Sequence, residues 1–296
     1  MLRSKLAICI SLSLLPALQN VYASSVITTL DKTTVTATRT EKATLATSQA
    51  VNVIDTTDIE RKLSGSIFES LDLIPNTSGD GGPFANGYKF NIRGFSDAED
   101  VMVTLDGAVQ TFEKYRMGSL FIDAELYRNV SIKRGPSTVL HGGGALGGLV
   151  QFELKEASDF LHNNQTLGAK VKVGHHSNND QKNASVFAYA NPIKALDLLF
   201  AYIDRKSDDF ELSNDTTLDN SAIKSNSWLA KASYDFNDTQ AISLNASQSQ
   251  DAQRTEFNTT DKGAWGTVYR DVTQTTYNLE YSHHNPNNAW IDLKVK

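Results

Sequence analysis

The sequence predicts a small α+β domain followed by the first strands of a transmembrane antiparallel β-barrel. Three observations carry that prediction. Residues 51–154 mix short helix and strand signals, the chain beyond Leu154 changes to long alternating segments, and the connections between those segments are alternately short and long.

The first 23 residues, MLRSKLAICISLSLLPALQNVYA, place Arg3 and Lys5 before a mostly apolar run from Leu6 to Leu18 and a small-x-small site at Val21-Tyr22-Ala23. This is the pattern of a secretory signal peptide. The run is shorter than the roughly 20 residues a spanning helix needs. The only cysteine, Cys9, lies inside it, so the mature chain has no disulfide, thiolate or cysteine metal site. Removing Arg3 and Lys5 takes the net charge from -6 to -8, which argues against a nucleic-acid partner, because phosphate binding needs a basic face. No later stretch reaches 18 consecutive apolar residues, so a membrane role runs through strands.

Residues 24–50 are rich in Thr, Ser and Ala and contain no aromatic residue. They read as a flexible or extended arm, too polar to build a core. Its β-branched run DKTTVTATRT either serves as a linker or adds as an edge strand to a partner sheet. In residues 51–154, Val51–Ile54 is a strand signal, and Thr57 to Glu60 is a capping box that starts a short helix. A second helix, Ser66 to Leu73, stops before Pro75. Strands follow at 89–94, 101–107, 127–135 and 150–154, interrupted by loops at 78–88 and 110–118.

Residues 155–296 hold seven alternating segments, at 167–176, 182–191, 195–205, 227–236, 241–250, 275–284 and 287–296. In the fourth, Trp228, Ala230, Ala232, Tyr234 and Phe236 share one face and Lys231, Ser233 and Asp235 the other. A soluble sandwich alternates in the same way, so the connections decide. Links at 191–194, 237–240 and 285–286 are short and those at 206–226 and 251–274 are long, the arrangement of outer-membrane barrels. Only the link at 177–181 is short where a long one is expected. Seven strands do not close a barrel, and the sequence is read as a fragment or a truncated product.

Taken in order, these residues resemble the TonB-dependent outer-membrane receptors. TLDKTTVTATRT resembles the TonB box of that family, FNIRGF and VMVTLDG the core of its plug domain, and VSIKRGPSTVLHGGGALGGLV the last segment of the plug. The resemblance implies a plug seated inside a barrel of about 22 strands, in the bacterial outer membrane. It assigns the TonB box to Asp31, Lys32, Thr33, Thr34, Val35, Thr36 and Ala37, which would pair edge to edge with the periplasmic protein TonB. Arg93 and Arg134 would pair with barrel glutamates and lock the plug in the lumen.

Within the family, the stretch from Gln110 to Ser137 with GALGG is most similar to the haem and haemoglobin receptors. A ferric siderophore remains the alternative ligand, because the family's haem hallmark would lie beyond Lys296. A non-transporting adhesin or porin is the alternative of another class. By analogy the ligand-facing surface is Phe84, Tyr88, Phe112, Tyr115, Arg116 and Met117. His141, His175 and His176 are further ligand candidates, since haem iron takes imidazole. No intrinsic cofactor is implied, haem being cargo, and no metal ligand is assigned. No catalytic constellation is present and no enzyme is expected. Gly142, Gly144 and Gly147 spell G-x-G-x-x-G, but a strand follows instead of a helix, so these glycines serve tight packing and positive φ and not a nucleotide.

Overall fold

The computed structural model describes residues 34–35, 42–43, 50–55, 71, 74–80, 87, 89–97, 99–110, 118–136, 143–162, 164–256, 266–284 and 292–296. Residues 33–296 make up one compact unit, and the other, residues 1–32, lies outside the described residues. The expected helix at 57–60 lies outside them too, as does the helix at 66–73 apart from Leu71, which is helical.

In the arm, β1 (Thr34–Val35) pairs antiparallel with β2 (Lys42–Ala43). The plug contains β3 (Ala50–Asp55), β4 (Thr77–Asp80), β5 (Lys89–Ile92), β6 (Val101–Leu105), β7 (Ala108–Gln110), β8 (Tyr127–Arg134) and β9 (Gly148–Leu154). Five of these form one sheet in the order β3-β8-β9-β6-β7, antiparallel except for the parallel pair β6 and β9. Ser78–Asp80, expected in a loop, instead pairs with Lys89–Asn91. Backbone pairing needs no side-chain signal, which is why a Gly-rich strand hides from sequence patterns.

Buried Ile54, Phe90, Ile92, Val103, Leu105, Tyr127, Val130, Ile132, Val150 and Phe152 fill the plug core. The β6–β7 hairpin turns at Asp106 (φ 47°) and Gly107 (φ 87°), with Leu105 opposite Ala108. Two positive φ values in a two-residue loop define a type I′ turn, for which Asp-Gly is a preferred pair. The glycine run behaves as its context requires: a Cβ on Gly148 (φ 156°) would lie 2.3 Å from the Lys133 carbonyl oxygen, and one on Gly144 (φ 85°) 2.8 Å from that of Glu99. Backbone meets backbone there.

The second part of the unit is one antiparallel sheet of β10 (Leu167–His176), β11 (Gln181–Ile193), β12 (Leu196–Lys206), β15 (Lys224–Asn237), β16 (Gln240–Glu256), β17 (Thr267–His284) and β18 (Asp292–Val295), in that order. Two short strands, β13 (Phe210–Glu211) and β14 (Thr217–Leu218), form a hairpin in the loop between β12 and β15. The long sheet is a wall with two unlike faces. Toward the plug it turns Ser185, Ser227, Lys231, Asn245, Ser247 and Gln274, with a small apolar patch of Phe187, Leu199, Ala201, Ile203 and Leu229 that joins the plug core. Outward it exposes Val171, Val173, Val186, Leu198, Phe200, Tyr202, Tyr234, Phe236, Leu244, Tyr277 and Leu279.

The upper border of this outer apolar surface is oblique. It runs from Val173 on β10 to Tyr277 on β17, and the residue of β10 in register with Tyr277 is Ala169, four residues below Val173. Four residues rise about 13 Å and five strand-to-strand steps cover about 24 Å, so the strands lean roughly 30° from the normal to the border. Barrel strands in membranes lean 35–45°.

Candidate functional site

The interface between plug and wall is built from two plug projections. The first is the β6–β7 turn. Its apex residue Asp106 accepts hydrogen bonds from Lys231 Nζ at 3.2 Å and Asn245 Nδ2 at 2.8 Å through Oδ2, and from the Leu154 amide at 2.9 Å through Oδ1. Its backbone carbonyl accepts from Asn278 Nδ2 at 2.6 Å and Lys296 Nζ at 3.2 Å. One turn thus engages four wall strands, since Lys231, Asn245, Asn278 and Lys296 come from or directly follow β15, β16, β17 and β18. Burial pushes the Asp106 carboxyl above its ordinary value, against the opposing pull of Lys231.

The second projection is the single 3-10 turn Ala124–Leu126 with its cap, Asp123. Arg205, 3% exposed, binds Asp123 through Nε and Nη2 and reaches Glu125 Oε1 at 3.1 Å. Lys172 Nζ approaches Glu125 Oε1 at 3.1 Å, Ser185 Oγ donates to Glu125 Oε2 at 2.9 Å, and the Asp123 amide donates to Ser227 Oγ at 3.2 Å. These partners sit on β10, β11, β12 and β15, and their side chains all face inward. A buried guanidinium shared by two carboxylates is well compensated only while all three stay in place.

Between the projections, the hinge from plug to wall is pinned in the same way. Asp197 of β12 accepts from the Ala157 and Ser158 amides, each at 2.9 Å, which places a carboxylate on the exposed N–H groups of the 3-10 turn Ala157–Asp159. Lys231 also contacts Glu156 at 3.0 Å. Higher on the wall, Gln274 accepts from the Phe121 amide at 3.1 Å and donates to the Ser119 carbonyl at 3.1 Å, so β17 holds the C-terminal base of loop 110–118 by its backbone.

The residues expected from sequence fall into three groups. Asp31, Lys32, Thr33, Thr36 and Ala37 of the TonB box lie outside the described residues, while Thr34 and Val35 form β1. Phe84, Tyr88, Phe112, Tyr115, Arg116, Met117 and His141 also lie outside them. Arg93 (φ 56°) sits in the turn after β5, and Arg134 donates to the Pro75 carbonyl at 2.8 Å and Asn52 Oδ1 at 2.9 Å. Among the described residues neither arginine meets a wall carboxylate. The two histidines of β10 face opposite ways: His176 follows the inward residues Lys172 and Gly174, and His175 points outward with Nδ1 3.6 Å from Asp180 Oδ1.

The described contacts therefore run with opposite sign to the expected lock, with carboxylates on the plug and cations on the wall. Sequence reasoning missed Asp106, Asp123, Glu125, Lys172, Arg205 and Asn278. Their signal was present in part. Lys172 stands on the polar side of an alternating strand, which is where a lumen contact belongs, whereas Arg205 follows the apolar Leu199, Ala201 and Ile203 on the inner face of β12 and carried no such signal.

Comparison with known proteins agrees with this architecture. Residues 43–149 match the TonB-dependent Receptor Plug Domain. The chain belongs to the TonB-dependent receptors, a family of receptors and not of enzymes. It is 33% identical over 260 residues to TonB-dependent heme receptor A of Haemophilus ducreyi, covering 81% of this chain and 35% of that protein. It is 30% identical over 255 residues to the hemin receptor of Yersinia enterocolitica, covering 82% of this chain and 36% of that protein. The chain thus spans about a third of the length of these relatives. In fold it is similar to the hemophore receptor HasR of Serratia marcescens, solved as a double mutant in complex with its hemophore HasA and heme, with a TM-score of 0.73 and 24% identity over 83% of this chain and 37% of that one.

Proposed function

We propose that this chain supplies the plug and first wall strands of a bacterial outer-membrane receptor that imports an iron compound, haem in particular, under the drive of TonB. The similarity to haem and hemin receptors carries the haem reading. The inverted wall, apolar outward and polar toward the plug, supports the membrane setting, because an outward apolar band is what a lipid-facing barrel presents. Asp31 to Ala37 is the segment TonB would hold, by strand addition. Arg93 and Arg134 are proposed to lock the plug against wall segments outside this chain. Phe84, Tyr88, Phe112, Tyr115, Arg116, Met117 and His141 are proposed to face the ligand, with His176 turned toward the same lumen.

The interface geometry suggests how pulling acts. The plug is tied to the wall by short polar contacts with only a small apolar patch, and such contacts exchange with water more readily than a continuous hydrophobic seam. Deleting residues 31–37 and assaying growth on haem as the sole iron source tests the energised mechanism; unchanged uptake sinks it. Titrating the full-length receptor with haem tests the ligand. A Soret shift at micromolar haem is the expected result, and its absence, with uptake of a ferric siderophore retained, reassigns the cargo.

A further inference from the structure

The outer face of the wall carries a feature that ligand uptake does not use. At the upper end of the strands, His175, Lys182, Lys206 and Lys224 stand directly opposite one another in register across β10, β11, β12 and β15. All four are exposed on the face that points away from the plug. Asp180 binds Lys182 at 2.8 Å and lies near His175, and Asp204 stands one outward position below Lys206. Lys206 and Lys224 face each other with no ion-pair partner among the described residues. Like charges directly opposite on adjacent strands destabilise a sheet, so an external anion would relieve this row.

Directly below, the same face becomes apolar through Val173, Val186, Tyr202 and Phe200. It then opens into a shallow groove of about 430 Å³ lined by Ala188, Ala190, Leu198, Phe200, Ala230 and Leu244. From Lys206 down to Phe200 is about 20 Å along the strand, or about 16 Å in depth after the tilt, against a leaflet about 15 Å deep, and Leu198 lies about 7 Å further along. Cations at headgroup level above an apolar groove at tail depth fit one kind of molecule.

We propose that this surface binds a membrane lipid with phosphates in its headgroup, the phosphates between Lys182, Lys206 and Lys224 and an acyl chain in the groove. The site rests on the outer-membrane reading above and is independent of the imported cargo. Its test is a titration of the receptor, produced from its complete reading frame in neutral detergent, with bisphosphorylated lipid A, with dephosphorylated lipid A and with inorganic pyrophosphate, read as retained ligand by native mass spectrometry.

The expected result is salt-sensitive binding of the phosphorylated lipid alone, weakened roughly tenfold to thirtyfold by Lys206→Ala with Lys224→Ala. Lys194→Ala, the loss of one such charge at the opposite end of the wall, should leave it unaltered. Equal binding of the dephosphorylated lipid overturns the phosphate contact, equal binding of pyrophosphate makes the ligand a free anion, and an unchanged double variant overturns the site. Growth on haem reads the receptor proposal separately, so failure of the titration in an uptake-competent protein overturns the lipid site alone.

Discussion

The plug and the wall solve the same burial problem in opposite directions. In the plug, strands β6, β8 and β9 turn Val103, Leu105, Val130, Ile132, Val150 and Phe152 inward, and apolar area is removed from water as in any soluble domain. In the wall, β12 turns Leu198, Phe200 and Tyr202 outward, while Arg205 and its neighbours across the sheet, Asn183 and Ser225, are buried. The lesson is that one chain folds for two solvents. The join between them is polar because each part has spent most of its apolar surface elsewhere.

That contrast can be broken most severely at the join. Arg205→Ala leaves Asp123 and Glu125 facing each other in a site from which water is largely excluded, and the loss should be about 3–5 kcal/mol. Thermal unfolding of the purified full-length receptor measures it, and a change below 1 kcal/mol would show that the second projection contributes little. Next comes a pair of substitutions one residue apart. Ala232→Arg places a charge on the outer apolar face and should cost about 2–4 kcal/mol if that face lies in lipid, with reduced assembly in the outer membrane. Ser233→Lys places it on the inner face, in a cleft with Glu156, Asp197 and Glu280, and should be tolerated. Equal tolerance of both would erase the distinction between the faces.

A smaller effect sharpens the comparison through pH. Because burial raises the Asp106 carboxyl above its ordinary value of 3.8, the folded protein holds a proton there that the unfolded chain has released. Stability from this group therefore falls as pH rises from about 3.8 through the raised value. Asp106→Asn should remove that part of the slope, as seen by comparing unfolding of the two proteins across the acid range. A steeper slope in the variant would contradict the burial account.

Much of the architecture was legible from residue spacing. Alternation fixed the outward faces of β15 and β17, because a strand has a period of two and Trp228, Tyr234, Tyr277 and Leu279 leave no choice of side. The strand expected at 101–107 instead turns back at Asp106 and Gly107, a pair that its apolar run had masked. What stayed hidden was pairing between distant segments. Asp106 contacts Lys231 and Asn245, residues more than a hundred positions away, and no local pattern encodes which carboxylate meets which cation. The expected Arg93 and Arg134 lock came from resemblance, and the wall strands described here offer those side chains no carboxylate. The strand Thr77–Asp80 was invisible because Gly79 and its polar neighbours make no hydrophobic signal.

The central claim, that the wall faces lipid on one side and the plug on the other, can be measured along a single strand. The only cysteine in these 296 residues is Cys9, in the signal segment, so single cysteines at positions 198 to 206 can carry spin labels once any cysteine elsewhere in the complete receptor is changed to serine. In the receptor reconstituted into bilayers, labels at 198, 200 and 202 should collide with dissolved oxygen and not with a water-soluble nickel chelate, while labels at 199, 201 and 203 should be shielded from both. Nickel accessibility at 198, 200 and 202, or no alternation along the strand, would contradict the account.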